Sequence, residues 1–249
     1  MMGEENIYDK LKEIFGGIPG NLNVLEEEID INLQVEYYEY AKNHRHLSTA
    51  DEVINMKEDI FEDHISSEDK KTLFVKLASL DNIEAYRTIE RYIQKPEQEL
   101  RDWAVLAFQE SRMLIESKIL NESQVFISTG LGGKGEKLRY FVVFFANKGK
   151  KLNTFERKVL ESELDFFFRQ NDSEIEEILY KETFVTLKVV IPLSIPLKNM
   201  FKDIILECNQ YGDFLMSNFI ITNVRCLSDD EIFDFICHHN IELDYEDFE

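Results

Sequence analysis

The 249 residues are 44% hydrophobic and 12% aromatic, enough to bury the core of one large or two ordinary domains, which excludes a disordered chain. Twenty-eight basic against 49 acidic residues leave a formal charge of −21, a field that disfavours nonspecific attraction to nucleic acid or anionic lipid. Ten Gly and four Pro are too few for a loop-dominated or all-β sandwich chain.

In chain order, Ile7, Leu11, Ile14 and Phe15 recur at helical spacing and stop at Gly16-Gly17. A second helix is predicted over 25–43, and Thr49 with Glu52 has the residue types of a capping box for a third, running to about Glu62. Ser66 or Ser67 caps a helix carrying Leu73, Phe74, Leu77 and Leu80, and Asn82 caps the next, with Ile83, Tyr86, Ile89 and Ile93 inward. Pro96 breaks the chain, and 97–117 has a broad apolar face through Leu100, Trp103, Ala104, Ala107, Phe108, Leu114 and Ile115.

The run Pro96-Glu-Gln-Glu-Leu-Arg-Asp-Trp-Ala-Val-Leu-Ala-Phe108 resembles the core of a HEAT-type repeat, in which a proline opens a helix and a hydrophobic-Arg pair precedes small residues. The resemblance covers 67–117 and implies a helical stack that binds protein or nucleic acid along a surface. No second copy at a fixed period is visible, so an irregular bundle stays open beside it.

Near residue 121 the pattern changes. Gln124 to Thr129 and Leu138 to Ala146 read as strands, the latter continuously apolar and so central and covered on both sides. Asn153 or Thr154 starts a helix through Leu160, Leu164, Phe167 and Phe168; Phe184 to Ile191 alternates as a strand. Pro196 suits the first turn of another helix, Phe219 to Leu227 alternates again, and Ser228 with Glu231 marks a last helix. The expected fold class is α+β: an all-helical domain over 1–120, HEAT-like or bundled, then an α/β domain over 121–249. The second domain is expected as β-β-α-β-α-β-α, a two-layer sandwich on a mixed sheet of about four strands with an acidic C-terminal segment.

One candidate site stands out. Gly130-Leu-Gly-Gly-Lys-Gly135 matches GxGxxG, but a strand follows it where the dinucleotide fingerprint needs a helix, and neither a Walker loop nor the kinase signatures accompany it. Its plain reading is a hairpin turn using glycine for positive φ. Local charge keeps a second reading alive. Lys134, Lys137, Arg139, Lys148, Lys150, Lys151, Arg157 and Lys158 face only Glu136 and Glu156 between residues 134 and 158. Gly130, Gly132, Gly133, Lys134, Gly135, Lys137 and Arg139 are therefore the candidate anion or partner site. The strand from Leu138 to Ala146 spans about 30 Å, so the basic residues at its two ends cannot form one pocket.

No catalytic constellation can be nominated. Asp229 with Asp230 and Glu161 with Asp165 are pairs that any acidic chain supplies. Cys208, Cys226 and Cys237 form no CxxC pair, and a zinc set of Cys226, Cys237, His238 and His239 fits no standard spacing, so no metal and no cofactor are expected. His44 and His46 flank Arg45 in an interhelical loop. Residues 229–249 hold nine acidic side chains and no Lys or Arg, an acidic tail or a lid over the basic region. The expected setting is cytoplasmic, with no membrane segment. The expected function is a noncatalytic interaction or adaptor protein with an unidentified protein partner and unknown oligomeric state. The alternatives are phosphate-ligand or nucleotide binding at the 130–139 hairpin, and RNA or ribosome contact through 134–158, nucleic acid ranking below a protein partner.

Overall fold

The change of pattern near residue 121 corresponds to two units in the computed structural model, which describes residues 22–45, 48–121 and 125–238. One unit, mostly helical, takes 22–25 and 29–127; the other, built on a sheet, takes Glu26–Glu28 and the chain from Ser128 on. The helix expected through Ile7 to Phe15 lies outside the described residues, as do His46, His239 and the rest of the acidic C-terminal segment.

The helical unit runs β1 (Leu22–Val24), α1 (Ile31–His44), α2 (Ala50–Asn55), α3 (Ser67–Ala78), α4 (Ile83–Ile93), α5 (Arg101–Leu120) and β2 (Val125–Ile127). Its helix starts follow the capping residues. Asp30 accepts from the amides of Asn32 and Leu33, so α1 begins six residues later than the periodicity alone predicts. Thr49 and Glu52 make both bonds of a capping box, Ser66 accepts from the Asp69 amide, and Asn82 accepts from Glu84 and Ala85. After Asn55 the chain tightens into a 3-10 turn over Lys57–Phe61 instead of continuing as helix. A second 3-10 turn at Gln98–Leu100 separates Pro96 from the start of α5.

Trp103 of α5 is the hub of this core. Its ring meets Tyr37 at 5.1 Å and Tyr40 at 5.3 Å, both edge-on. Its indole N–H donates to the Lys71 carbonyl at 3.2 Å, which pairs the buried ring donor. Five consecutive α5 residues, Trp103 to Ala107, are buried, which fits a helix packed on several sides. Val125–Ile127 does not join the glycine loop's sheet: β2 pairs in parallel with β1, Leu22 opposite Val125 and Val24 opposite Ile127.

The sheet unit runs β3 (Gly133–Lys134), β4 (Lys137–Ala146), α6 (Thr154–Gln170), β5 (Glu174–Tyr180), β6 (Phe184–Pro192), α7 (Leu197–Asn209), β7 (Leu215–Thr222) and α8 (Asp229–His238). Every pairing is antiparallel, where a mixed sheet of about four strands was expected. The long strands lie in the order β7-β4-β6-β5, with the short β3 on the same edge of β4 as β7. β4-α6-β5-β6-α7-β7 is the split βαβ arrangement of ferredoxin-like sandwiches, and the class is α+β.

Two features differ from the sequence pattern. β5 reads Glu-Ile-Glu-Glu-Ile-Leu-Tyr; its three charges and the register shift between Ile175 and Glu177 break the alternation that marks a strand. β7 ends at Thr222, so Asn223 and Arg225, expected on its face, lie beyond it. There Arg225 pairs with Glu231, which also accepts from the Ser228 amide at the start of α8.

β4 separates two apolar layers. On one side Phe144 packs with Phe201 of α7, and Phe201 also meets Phe168 and Phe219, with centroids 5.8–6.3 Å apart. On the other side Phe141, Val143 and Phe145 join Leu131, Phe184, and Ile232 and Ile236 of α8. Phe201→Ala empties the centre of the first layer and is expected to cost about 3–5 kcal/mol. Hydrogen exchange of the β4 amides, accelerated in step, checks this.

Candidate anion site at the glycine loop

The glycine loop is shaped by three backbone requirements. Gly135 has φ +61° and opens a two-residue turn in which Lys134 is opposite Lys137, the position where a type II′ hairpin needs glycine. Gly132 has φ +68°, and a Cβ there would lie 2.4 Å from the Glu27 carbonyl oxygen and 2.5 Å from that of Glu26. The Gly132 carbonyl accepts from the Arg139 amide at 2.9 Å, and the Leu131 amide donates to the Asn223 carbonyl at 3.1 Å. Gly132 is thus glycine because the backbone of 26–28 crosses it. Gly133 lies in β3, and Gly130 is buried before it.

The cations of this loop are all engaged. Lys134 bonds Glu174 at 2.5 Å, and Lys137 reaches Asp172 at 3.1 Å and Glu174 at 3.9 Å. Arg139 holds Glu176 with both prongs of its guanidinium, Nε to Oε2 at 2.6 Å and Nη2 to Oε1 at 2.9 Å. Its Nη1 donates to the Leu131 carbonyl at 2.7 Å and to the Glu26 carbonyl at 3.1 Å. The Gly135 amide donates to Glu26 Oε1 at 3.0 Å, and Lys188 of β6 donates to Glu28 Oε2 at 2.7 Å. The hydrogen bond from Arg139 holds the Glu176 carboxyl below the usual glutamate range.

The far end of β4 is different. Asn147 donates from its amide to the Phe214 carbonyl at 2.8 Å and from its side chain to Asp213, fastening this loop to the start of β7. Asn209 at the end of α7 accepts from the amides of Phe214 and Leu215, so α7 finishes at the same end. Arg157 donates to the Leu152 carbonyl and lies 4.6 Å over the Tyr180 ring. Burial, and then the hydrogen bond to Glu161, push the Tyr180 phenol up. Lys151 meets Glu182 only at 3.5 Å. Lys150 and Lys158 are exposed and make no ion pair among the described residues. Phe155, Leu206 and Tyr211 are 58%, 63% and 60% exposed.

The structure therefore brings Gly132, Gly135, Lys134, Lys137 and Arg139 together, and it adds Glu26, Glu28, Glu174, Glu176 and Lys188. Of these five, Glu174 and Glu176 belong to the strand whose charges hid it, and nothing local links 26–28 to the loop. His44 bonds the Tyr40 carbonyl and stacks on its ring. Asp229 pairs with Lys181 and Asp165 with Arg169. Among the described residues no three His, Cys, Asp or Glu side chains are grouped to hold a metal, and no helix is long and apolar enough to cross a membrane. The side chains of Cys237 and His238 lie outside that description.

No family model matches the sequence, and neither does any curated protein. The HEAT-type resemblance of 67–117 gains no support from either. Several solved structures are similar over part of the chain, two of them as follows. One is a putative transposase from Deinococcus radiodurans R1, 13% identical with a TM-score of 0.34, over 44% of this chain and 93% of that one. The other is a REP-associated tyrosine transposase bound to a REP hairpin, 12% identical with a TM-score of 0.31, over 42% of this chain and 68% of that one. Both are described as transposases, the first as a putative one. On that finding the expectation of a noncatalytic adaptor, with a protein partner ranked above nucleic acid, is corrected. Likeness this distant supplies no activity or residue role to this chain.

Because the Glu176 carboxyl is depressed by its bond to Arg139, the stability it contributes is complete above its ordinary value of 4.5 and is lost as pH falls through its folded value. Glu176→Gln is expected to lower stability at neutral pH and to flatten the acid limb of a melting-temperature profile between pH 5 and pH 3.

Proposed function

We propose that the sheet unit binds single-stranded nucleic acid at the end where β4 runs into α6, with Phe155 and Tyr211 as stacking surfaces and Lys150 and Lys158 as phosphate contacts. The observation that carries this is their coincidence. Two exposed aromatic side chains and two exposed lysines without ion pairs share one end of the sheet, whereas the cations of the glycine loop at the other end are paired with carboxylates. Stacking on aromatics plus backbone charge is the general chemistry of single-strand binding, and it needs no base-edge readout.

Acidic side chains around this end are already engaged. Glu182 faces Lys151, Asp213 takes the Asn147 amide, Glu207 takes Gln210, and Glu161 takes Tyr180. The face of the sheet is an unsuitable platform. In an RNA-recognition module the aromatics of a four-stranded sheet stack bases from an open face; here Phe141 and Phe145 are 7% and 0% exposed. The net charge of −21 opposes a long footprint, so binding is short and confined to low salt. Cys208 and Cys226 are free thiols, which supports a reducing, cytoplasmic setting.

Fluorescence anisotropy with a labelled oligothymidylate in 50 mM and 200 mM salt tests the proposal. Phe155→Ala is expected to weaken binding about 10-fold, within the range for one lost stack. Lys150→Ala with Lys158→Ala is expected to reduce the salt slope by about 1.4, two contacts at about 0.7 each. Absence of binding at 50 mM salt, or variants indistinguishable from the parent, sinks it.

A further inference from the structure

We propose that Glu26–Glu28 is an internal stand-in for a phosphate-type oxyanion: it occupies an anion site formed by Arg139, Lys188 and the Gly135 amide, and its release opens that site. The proposal does not rest on nucleic-acid binding at the other end of β4, about 30 Å away at 3.3 Å per residue.

The three donors converge because of sheet register. Arg139 is opposite Val190 and Phe141 opposite Lys188, so Arg139 and Lys188 lie on one face as diagonal neighbours, within reach of long side chains. The β3-β4 turn brings the Gly135 amide to the same end. Each donor meets an oxygen of the acidic segment: Arg139 Nη1 the Glu26 carbonyl, the Gly135 amide Glu26 Oε1, and Lys188 Glu28 Oε2. A phosphate group offers the same thing, several acceptor oxygens and no donor, to the same cations.

The segment is seated specifically. Gly132 gives the carbonyls of Glu26 and Glu27 a position that any Cβ would fill. Yet the seat is imperfect. Glu27 Oε2 is buried and has no hydrogen-bond partner among the described residues, a desolvated acceptor that disfavours the closed arrangement. The Glu28 side chain is half exposed, so its pair with Lys188 is open to screening by salt. Arg139, in contrast, is fixed independently. With Glu26 gone, Glu176 still holds Nε and Nη2, and the Leu131 carbonyl still orients Nη1. The guanidinium therefore stays aimed at the vacated position, with Lys134 and Lys137 beside it.

The experiment uses the full chain and two variants. Glu28→Gln weakens the Lys188 pair without changing shape; Gly132→Ala puts a Cβ where the segment crosses, and any failure of that variant to fold leaves Glu28→Gln as the test. Hydrogen exchange of the Gly135 amide, which loses its bond to Glu26 Oε1, reads release, and calorimetric titration with inorganic pyrophosphate and, separately, oligothymidylate reads the opened site. Glu28→Gln is expected to speed exchange of the Gly135 amide at least 5-fold and to tighten pyrophosphate or oligothymidylate binding at least 5-fold. Adding Lys188→Ala should remove the gain. Tightening for pyrophosphate alone assigns the site to free phosphates. Tightening for oligothymidylate that persists with Lys150 and Lys158 replaced by Ala assigns it to a phosphodiester backbone, whatever happens at the other end of β4. Unchanged exchange, or faster exchange with no gain for either anion, overturns the proposal and leaves 26–28 as a structural segment.

Discussion

The sheet unit depends on one crossing: the backbone of Glu26 and Glu27 passing over Gly132 beneath the reach of Arg139. The missing Cβ admits the segment. Arg139 then joins three pieces distant in sequence, donating to the carbonyls of Glu26 and Leu131 and to the carboxylate of Glu176. A planar guanidinium with donors in a fixed fork can do this; an ammonium at the same place has no fixed fork. The Arg139 side chain is only 15% exposed, with its bond to the Leu131 carbonyl half-buried and those to Glu26 and Glu176 nearer the surface.

That crossing decides what the local positive charge means. Along the sequence, 134–158 is a basic island in an acidic chain. In three dimensions its N-terminal part faces Asp172, Glu174 and Glu176, delivered by the turn after α6 and by β5. The exposed pairs among these add little stability each, but together they offset much of the positive charge of Lys134 and Lys137 and leave Arg139 Nη1 and Lys188 to the oxygens of Glu26 and Glu28. Glu174 and Glu176 occupy the edge strand, where charges also discourage edge-to-edge pairing with another chain. Cations near Asn147 have no comparable strand opposite them, and Lys150 and Lys158 stay unpaired among the described residues.

Local chemistry was legible and remote pairing was not. Thr49 with Glu52 and Ser228 with Glu231 mark helix starts because a cap is a contact across three residues, readable from adjacent letters. The apolar run of β4 announced a central strand, and it has β6 on one edge with β3 and β7 on the other. By contrast β2 finds its partner β1 about a hundred residues upstream, and its Val-Phe-Ile letters fit either neighbour equally. β5 was hidden by charges that serve tertiary partners, Lys134 and Arg139, at the expense of strand alternation. Gly132 looked like phosphate-motif glycine because a close backbone approach needs the same residue whether the approaching backbone belongs to a ligand or to the chain itself.

That last equivalence explains why a GxGxxG match without a following helix still sits at a recognition geometry. A helix N-terminus supplies several amides to a phosphate; the hairpin at Gly135 supplies one, and side chains must provide the rest. Here they do, but a glutamate segment has taken the position. α8 buries the aromatic half of the same face through Ile232 and Ile236. With one half packed against α8 and the other held by 26–28, a split βαβ sheet of this kind keeps its described surface chemistry for its ends. There the connecting loops and the first turns of α6 carry exposed aromatic side chains and lysines that the sheet itself has no room to display.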